Sequence, residues 1–390
     1  MVARDVVVIG AGPTGCALGA YLARGGATVT LVEGVERPEA VVGESMLPGA
    51  ALVFEELGLD LSGFMRKRGA VFCRHDGAVR FDFSEAESPR YTHAWQVQRE
   101  VFDLRWRDVA RREGCEIVFA DARDVDVARG VVMTSAGELT AGRVVDAGGR
   151  SMWLSRKLGL RVGDATLRNA AVGTRMRGVR QLAPDEVGDI TICCIPGGWI
   201  WIIPFGDGVA SVGAVMTPSS PITGTAEERL RAAIASSPDA SARLRDAERV
   251  FPLRGLQDFT ASSTAFYGER FALCGDAATF IDPVFSSGVL LGLYGARQLA
   301  AALLGGDLAG WEAEYRAGAG VFRKVIDRWY DGDFMTVALA PASQQKRYYR
   351  TGIVSLLAGD VYNPTRRSPH AMADRMGELA AMLRDRASAN

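Results

Sequence analysis

The chain has 390 residues, of which 48% are apolar and 23% are charged, so a largely disordered protein is excluded. The 45 basic and 46 acidic residues leave a net charge of −1, which offers no general attraction for nucleic acid or anionic lipid. Six cysteines without a CxxC pair and only three histidines argue against a disulfide scaffold and against a metal site. This cysteine usage predicts a reducing, cytoplasmic location.

The chain begins with a predicted βαβ unit. Residues 6–23 carry no charge and approach the length of a membrane span, but the segment with Gly10, Gly12, Pro13 and Gly15 breaks the run into a strand, a turn and a helix. We therefore predict a strand over 5–9 and a helix over 14–24. A second strand over 28–32 leads to Glu33. No other run is long and apolar enough to span a bilayer, so no membrane partner is expected.

Hydrophobic periodicity predicts the later elements in chain order. In the first half they are a helix over 50–68, short strands and loops over 70–95, a helix over 101–112, a strand over 116–120, and a hairpin with a buried strand over 130–146. In the second half they are three alternating β runs within 168–216, a helical stretch over 225–247, a strand over 271–274, an apolar helix over 288–304 and an amphipathic tail over 368–386. The last two β runs flank a Gly-Asp-Gly turn at 206–208, which predicts an antiparallel sheet unlike the opening unit.

The turn after the first predicted strand carries a GxGxxG motif. Gly10 permits a tight turn, Gly12 lets the backbone approach a pyrophosphate, and Gly15 lets the helix pack on the strand. Glu33, 23 residues after Gly10, ends the second strand, where an acidic side chain binds the adenosine ribose. The alternative is a glycine-rich turn that binds nothing. The predicted nucleotide contacts are Gly10, Gly12, Pro13, Thr14, Gly15 and Glu33.

A second motif, Gly-Asp-Ala-Ala over residues 275–278, follows the strand that ends at Cys274. In FAD enzymes of this architecture, an aspartate at the position of Asp276 lies beside the nucleotide and binds the ribitol chain. The two motifs together favour FAD over NAD. The alternative for Asp276 is a capping residue before a helix. Only one dinucleotide fingerprint is present, so stable NADPH binding is not expected.

Through these two motifs and the segments described next, residues 1 to about 360 resemble a flavin-dependent halogenase of the group related to the aromatic hydroxylases. The most distinctive segment is 197–204, which contains a complete WxWxIP pattern. On a strand, Trp199, Trp201 and Ile203 point to one face. The resemblance implies that the two indoles form a wall near the flavin that keeps organic substrate away from it. Without the resemblance, two core tryptophans in a hairpin would explain the periodicity.

Other segments resemble the cofactor contacts of this family. Residues 43–48 are similar to the GESxxP loop that covers the isoalloxazine, with Glu44 and Ser45 as the implied contacts. Residues 96–103 and 145–150 resemble two further segments on the nucleotide side. Without the resemblance, ordinary surface charge would explain Arg37 and Arg99 equally well. The further FAD contacts that the resemblance implies are Arg37, Gln96, Arg99, Gly288 and Val289.

The segment 282–289, DPVFSSGV, lies just before the long apolar helix. Backbone N–H groups at the start of a helix form an anion site. In the family, the equivalent Ser-Gly pair holds the halide against the flavin, which implies that role for Ser287 and Gly288. The alternative is a serine that only caps the helix.

Lysine is rare in this chain, which has four lysines against 41 arginines. Lys67 lies between Arg66 and Arg68 in a segment similar to the one that bears the essential lysine of the halogenases. If only charge were needed, arginine would be expected, whereas a buried lysine can act as an acid, a base or a nucleophile. The resemblance implies that Lys67 receives hypohalous acid, hydrogen-bonded to its ammonium or as a chloramine, and delivers electrophilic halogen. The alternative is a solvated basic turn.

Three departures from the family bear on the substrate. Tryptophan halogenases carry a glutamate where this chain has Phe285, so the resemblance points to the phenol or pyrrole type. Residues 258–261 read DFTA where DFSY is frequent, and Leu290 stands where histidine is frequent.

The predicted fold class is α/β, with a Rossmann-like FAD-binding domain, a second antiparallel-sheet substrate domain and a helical C-terminal segment. The predicted boundaries are 1–70, 96–165 and 262–330 for the FAD-binding domain, 71–95 and 166–261 for the substrate domain, and 331–390 for the helical segment.

The resemblance implies an enzyme of natural-product biosynthesis that uses reduced FAD, oxygen and chloride or bromide to halogenate an electron-rich ring. The implied partners are a separate flavin reductase and an aromatic substrate, either free or tethered to a carrier protein. Two alternatives stay open: an FAD-dependent aromatic monooxygenase with the same FAD motifs, and a non-catalytic flavin-binding protein. The WxWxIP pattern, the Ser-Gly pair and Lys67 argue against the first, and Lys67 argues against the second.

Overall fold

A mainly parallel sheet organises the nucleotide side of the computed structural model, which describes residues 4–38, 43–87, 89–257, 260–341, 347–362 and 368–388. Its strands are β1 (Arg4–Ile9), β2 (Val29–Glu33), β7 (Glu116–Phe119), β8 (Ala122–Asp126), β9 (Val131–Thr134), β10 (Gly137–Asp146) and β19 (Phe271–Leu273). The spatial order is β7-β2-β1-β10-β9-β8, with β19 beside β10. β1 runs parallel to β2 and β10, and the crevice beyond the carboxyl ends of such strands is where nucleotides bind.

A largely antiparallel sheet forms the second layer. Its strands are β4 (Gly69–Arg74), β5 (Gly77–Asp82), β12 (Ala170–Arg177), β13 (Ile190–Ile195), β14 (Gly198–Pro204), β15 (Val209–Met216), β16 (Glu248–Arg249) and β17 (Arg254–Gln257). β14 and β15 form the predicted hairpin at the centre of this sheet. Two small sheets complete the strands: β3 (Met65–Lys67) with β6 (Ala94–Gln96), and β18 (Ala261–Ser263) between β11 (Arg161–Gly163) and β20 (Thr279–Phe280).

Helices pack on both large sheets and form the C-terminal segment, with α5 and α6 on the antiparallel sheet. They are α1 (Pro13–Arg24), α2 (Ala51–Leu57), α3 (Arg99–Arg112), α4 (Trp153–Lys157), α5 (Ala226–Ala235), α6 (Pro238–Arg243), α7 (Ser287–Gly305), α8 (Leu308–Tyr330), α9 (Asp333–Ala338), α10 (Arg347–Leu357) and α11 (Ser368–Ser388). Within the described ranges, α7 alone has the length and apolarity to cross a membrane. It contacts both α1 and α8, which is the position of a core helix. The predicted α/β class with a helical C-terminal segment is confirmed.

Several predicted elements are corrected. The helix predicted over 50–68 is wrong beyond its first two turns, because α2 ends at Gly58, which adopts a left-handed conformation with φ of 60°. The chain then forms β3, which pairs with β6. The region 168–216 contains four strands rather than three, and the stretch over 225–247 is two helices because a proline begins α6. The domain boundaries stay a proposal.

All six cysteines are free thiols, and five of them are buried. Cys73 and Cys193 are register partners on β4 and β13, where their thiols share a hydrogen bond. Cys194, the sixth, is half-buried.

Candidate active site

The GxGxxG turn requires glycine at two positions because backbone lies against them. Gly10 has φ of +100°, and a Cβ added there would lie 2.6 Å from the carbonyl oxygen of Ala147. A Cβ on Gly15 would lie 2.0 Å from the oxygen of Gly10. At Gly12, by contrast, no described atom lies within 4 Å of an added Cβ. The start of α1, with Pro13 as its first residue, therefore borders an open cradle that fits a pyrophosphate.

Glu33 lies beside this cradle, at the end of β2. Its carboxylate accepts hydrogen bonds from the backbone N–H groups of Ala11 (2.8 Å) and Val35 (3.1 Å). Arg107 of α3 lies 3.6 Å from the same carboxylate and donates to the oxygen of Ala11. Sequence reasoning missed Arg107, because nothing local marks one buried arginine among 41. Arg37 is exposed on the loop after β2.

Asp276 lies in the turn after β19, next to the start of α7. Its oxygen is 3.5 Å from the position of a Cβ added to Gly288. No described residue donates a hydrogen bond to its carboxylate, which leaves both oxygens available to a ligand. Burial raises the pKa of Asp276 to about 6, although the positive charges of Arg150 and Arg99 oppose this shift.

Arg99 and Thr14 lie around the same space. Asp103, one turn further along α3, holds the Arg99 guanidinium with two hydrogen bonds of 2.7 and 3.0 Å. Thr14 packs against α7, where a Cβ added to Gly292 would lie 2.3 Å from the threonine oxygen. Because Gly292 has no side chain, α1 and α7 approach closely, and the predicted nucleotide and halide segments lie together.

The predicted loop at 43–48 connects the two layers. The Glu44 carboxylate is buried and accepts hydrogen bonds of 2.8 and 3.2 Å from Arg175 of β12. Arg175 also pairs with Glu100 at the start of α3. Burial raises the pKa of Glu44, while Ser211 and Arg175 lower it. The side chain of Glu44 is thus committed to the second sheet rather than left open to a cofactor.

Gln96 is fully buried on β6, which forms an isolated bridge to Ser45. Its amide nitrogen donates to the oxygen of Gly188 at 2.9 Å. Its amide oxygen has no hydrogen-bond partner among the described residues. A buried acceptor without a partner is costly, so this oxygen fits a donor on a bound ligand. The open cradle, the available Asp276 carboxylate and this amide oxygen together fit FAD.

Lys67 is 1% exposed and ends strand β3. Its ammonium donates hydrogen bonds to the Ser45 hydroxyl (2.9 Å) and to the carbonyl oxygen of Met46 (3.2 Å), both in the 43–48 loop. The ring of Phe83 lies 5.3 Å from the nitrogen. Burial lowers the pKa of Lys67 to about 7, and the Asp189 carboxylate opposes that shift.

Asp189 also fixes the backbone next to Lys67. It accepts hydrogen bonds from the N–H groups of Arg68 (2.9 Å) and Gly69 (2.6 Å) and from the Arg80 guanidinium (2.8 Å). These three donors hold the buried carboxylate in place. Its negative charge raises the pKa of Lys67 through space, without a hydrogen bond between the two side chains. Asp189 is far from Lys67 in the sequence, so no local motif connects the two residues.

The two tryptophans of the WxWxIP pattern are buried with ring centroids 5.9 Å apart. Trp201 lies across two neighbouring strands, where Cβ atoms added to Gly173 and Gly213 would approach its ring within 2.6 and 2.2 Å. The absence of side chains at these glycines creates the slot for the indole. The Trp201 nitrogen donates to Ser211 at 3.1 Å.

The segment before α7 is anchored by a buried hydrogen-bond network. Asp282 accepts hydrogen bonds from the hydroxyl of Tyr330 (2.9 Å) and the amide of Asn169 (3.2 Å), while its other oxygen accepts from the Val284 backbone (3.0 Å). Tyr330 also accepts from the indole nitrogen of Trp199 (3.1 Å) and from Asn169 (2.8 Å). Because the indole and the amide nitrogen are donors only, the tyrosine proton must point to Asp282.

This network determines the turn that ends at Ser287, where α7 begins. Ser286 has φ of +57°, which is unusual for a residue with a side chain. Ser287 is buried, while Gly288 and Val289 are half-buried. Sequence reasoning missed Asn169 and Tyr330, which lie more than 40 residues from Asp282 on either side.

An aromatic cluster covers the same turn. Phe285 packs with Phe72, Trp329 and Phe334, with ring centroids 5.1 to 6.3 Å apart. Trp329 lies at the end of α8 and Phe334 in α9, so the end of α8 and the start of the C-terminal segment cover the candidate halide turn. The predicted departure at 258–261 is described only from residue 260, and Asp258 and Phe259 lie outside the described residues.

A cavity of about 310 Å³ borders the end of the 43–48 loop. Pro48 of that loop and Leu290 of α7 form one wall. Arg90 and Tyr91 form another, and the turn at 358–360 closes it. The cavity thus borders both the loop that binds Lys67 and the helix that begins at Ser287.

Comparison with known proteins gives one consistent family. The pattern of the tryptophan halogenase family matches residues 5–83 and 80–333. The 1H-pyrrole-2-carbonyl peptidyl-carrier protein chlorinase of Pseudomonas fluorescens is 29% identical, over 97% of this chain and 93% of its own length. The tryptophan 2-halogenase of Chondromyces crocatus is 30% identical, over 87% and 67%. The crystal structure of a flavoprotein/dehydrogenase from Cytophaga hutchinsonii matches with a TM-score of 0.90 at 31% identity, over 98% and 99%.

Proposed function

Since the chain belongs to the tryptophan halogenase family of flavin-dependent halogenases, we propose that it halogenates a pyrrole or phenol ring presented on a carrier protein. Lys67 would direct the halogen, and Ser287 and Gly288 would bind the halide. The observation that carries this proposal is the buried amine of Lys67, held by Ser45 and Met46 and separated from water. A separate flavin reductase would supply the reduced cofactor.

The residues that would hold FAD surround the cradle at the start of α1. The pyrophosphate would bind the backbone over residues 10–15, and Glu33 would bind the adenosine ribose. Asp276 would bind the ribitol chain. The remaining contacts would come from Arg37, Ser45, Gln96, Arg99, Gly288 and Val289. Glu44 would act differently from the family expectation, by fixing the 43–48 loop to Arg175. When bound, reduced FAD supplies two electrons which, with the two that the halide loses, reduce oxygen to hypohalous acid and water.

The chain's own residues would then control the oxidant. The N–H groups at the start of α7 would bind the halide through Ser287 and Gly288. Trp199 and Trp201 would exclude organic substrate from the flavin side. With a pKa of about 7, Lys67 populates both protonation states near neutral pH. Its ammonium form would donate a hydrogen bond to the hypohalous oxygen, and its amine form would take the halogen as a chloramine while water leaves. In either form, the ring carbon gains the halogen and loses a proton.

The surroundings of Phe285 support an uncharged ring as the substrate. Free tryptophan carries an ammonium and a carboxylate, and burying such charges requires charged partners. Phe285 instead lies in the aromatic cluster with Phe72, Trp329 and Phe334. A thioester-linked pyrrole or phenol lacks both charges. The Pseudomonas fluorescens relative acts on a pyrrole-2-carbonyl group attached to a peptidyl carrier protein, which supports tethering here.

The test uses purified protein with FAD, a flavin reductase, NADH and bromide. Two substrates are compared: a peptidyl carrier protein loaded with pyrrole-2-carbonyl, and a mixture of free pyrroles and phenols. Mass spectrometry detects bromine by its isotope pair. We expect bromination of the loaded carrier by wild type and none by Lys67→Ala. Lys157→Ala is the matched control, because Lys157 is a partly exposed lysine paired with Asp124. Hydroxylated product without bromine would contradict the proposal.

A further inference from the structure

The strand that ends at Lys67 has two faces with opposite character. Register pairing puts Arg66 opposite Trp95 and Lys67 opposite Ala94. Because side chains alternate along a strand, Lys67 points inward while its neighbours Arg66 and Arg68 are exposed. Neither arginine side chain has a hydrogen bond or ion pair among the described residues. Two uncompensated guanidinium groups therefore lie on the surface directly behind the proposed catalytic amine.

These arginines do not line the 310 Å³ cavity themselves, but a chain of side-chain contacts leads from them to α2, whose Leu52 forms part of the cavity wall. Partial burial lowers the pKa of His93, and the nearby positive charges of Arg66 and Arg68 lower it further. The His93 ring contacts Trp95 at 4.8 Å, and Trp95 contacts Phe54 of α2 at 5.9 Å.

Arg90 completes the surface at the cavity itself. Its side chain is 63% exposed and lies 3.7 Å from Glu55, the next residue of α2 after Phe54. Arg90 also lines the cavity together with Pro48. We call Arg66, Arg68 and Arg90 the arginine patch. It carries three positive charges, with the carboxylates of Glu55 and Glu56 near Arg90, although the whole chain has a net charge of −1.

We infer that the arginine patch is the docking surface for an acidic carrier protein, which delivers its tethered ring into the cavity beside the 43–48 loop. This inference rests on the proposed function. Guanidinium groups bind carboxylates and phosphates through paired hydrogen bonds, and a carrier offers both, as acidic side chains and as the phosphodiester of its arm. Exposed charges at the rim of an interface mainly accelerate encounter and select the partner. The patch therefore determines which form of the substrate is used, while Lys67 performs the chemistry.

The test reverses two charges, in the variant Arg66→Glu/Arg68→Glu. The probes are a peptidyl carrier protein loaded with pyrrole-2-carbonyl, and the same acyl group as a small thioester without protein. Bromide is kept constant and ionic strength is varied with sulfate, so that halide binding does not change. The control is Arg123→Glu/Arg129→Glu, two exposed arginines near β8 at the far edge of the nucleotide-side sheet.

We expect the double reversal to raise KM for the loaded carrier about tenfold at an ionic strength of about 0.01 M. At about 1 M, where the Debye length is about 3 Å, the effect should largely disappear. The small thioester and the control variant should show no change. An unchanged carrier KM, or an equal loss with the small thioester, would overturn the docking assignment. Failure of wild type to brominate either probe would instead contradict the proposed function. If wild type brominates the small thioester but not the loaded carrier, the docking assignment is wrong, and so is the part of the proposed function that places the ring on a carrier protein.

Discussion

Replacing Lys67 by methionine should make the protein more stable while it removes the proposed catalytic amine. A fall in pKa from 10.5 to about 7 corresponds to a burial cost of about 5 kcal/mol for the ammonium form. Methionine has similar length and no charge, so Lys67→Met removes that cost. The lost hydrogen bonds to Ser45 and Met46 offset about 1–2 kcal/mol of the gain.

The pH dependence isolates the titration of Lys67 from these contacts. Below pH 7 both the folded and the unfolded wild type hold the proton, so the full cost is present. Between pH 7 and about 10 the unfolded chain still holds the proton that the folded protein has released, so wild-type stability rises with pH. The stability difference between Lys67→Met and wild type should therefore shrink by about 2 kcal/mol from pH 7 to pH 9.

Urea unfolding at pH 7, 8 and 9, followed by circular dichroism, measures this difference. Lys157→Met serves as the control, because that lysine is partly exposed and its substitution should give a pH-independent difference. If the difference for Lys67→Met stays constant across this range, Lys67 does not titrate near neutrality. The argument that both of its protonation states are populated would then be wrong.

Three further predictions concern contacts around the site. Tyr330→Phe removes the hydroxyl that holds Asp282, so we expect the bromide concentration for half-maximal rate to rise about tenfold with kcat little changed, measured by steady-state bromination. Asp276→Asn should weaken FAD binding at least about tenfold in a flavin fluorescence titration, because the proposed ribitol acceptor loses its charge. Arg175→Met leaves Glu44 buried without its partner and should lower the free energy of unfolding by about 3 kcal/mol in urea, and adding Glu44→Gln should recover part of that loss.

The sequence predicted those features that depend on short, contiguous motifs. The turn at Gly10 and Gly15 follows from backbone contacts that only glycine permits, and the structure contains those contacts. The flavin-dependent halogenase family, inferred from the WxWxIP pattern and the neighbouring motifs, is confirmed by the family match. The role of Lys67 stays a prediction. Its burial and its amine contacts are nevertheless those that its rarity in an arginine-rich chain led us to expect.

The contacts that sequence reasoning missed join distant parts of the chain. Arg175 and Glu44 are 131 residues apart, and Tyr330 meets the indole of Trp199 across the same separation. Hydrophobic periodicity carries no information about such pairs, because each side chain resembles an ordinary surface or helix residue in its own segment. The arginine patch was hidden for a related reason, since a net charge of −1 averages over the local cluster around Arg66.

The distribution of the thiols bears on how long the enzyme survives its own turnover. Hypohalous acid oxidises thiols, and a molecule that escapes capture would attack any cysteine it can reach. Five of the six thiols are buried, and Cys194 alone is half-buried. Oxidation of the five must wait for local opening of the fold, so its rate at a given oxidant concentration is reduced by the small fraction of molecules that are open. Chemical damage would then accumulate first at Cys194, and a stiffer fold would lengthen the working life of the catalyst.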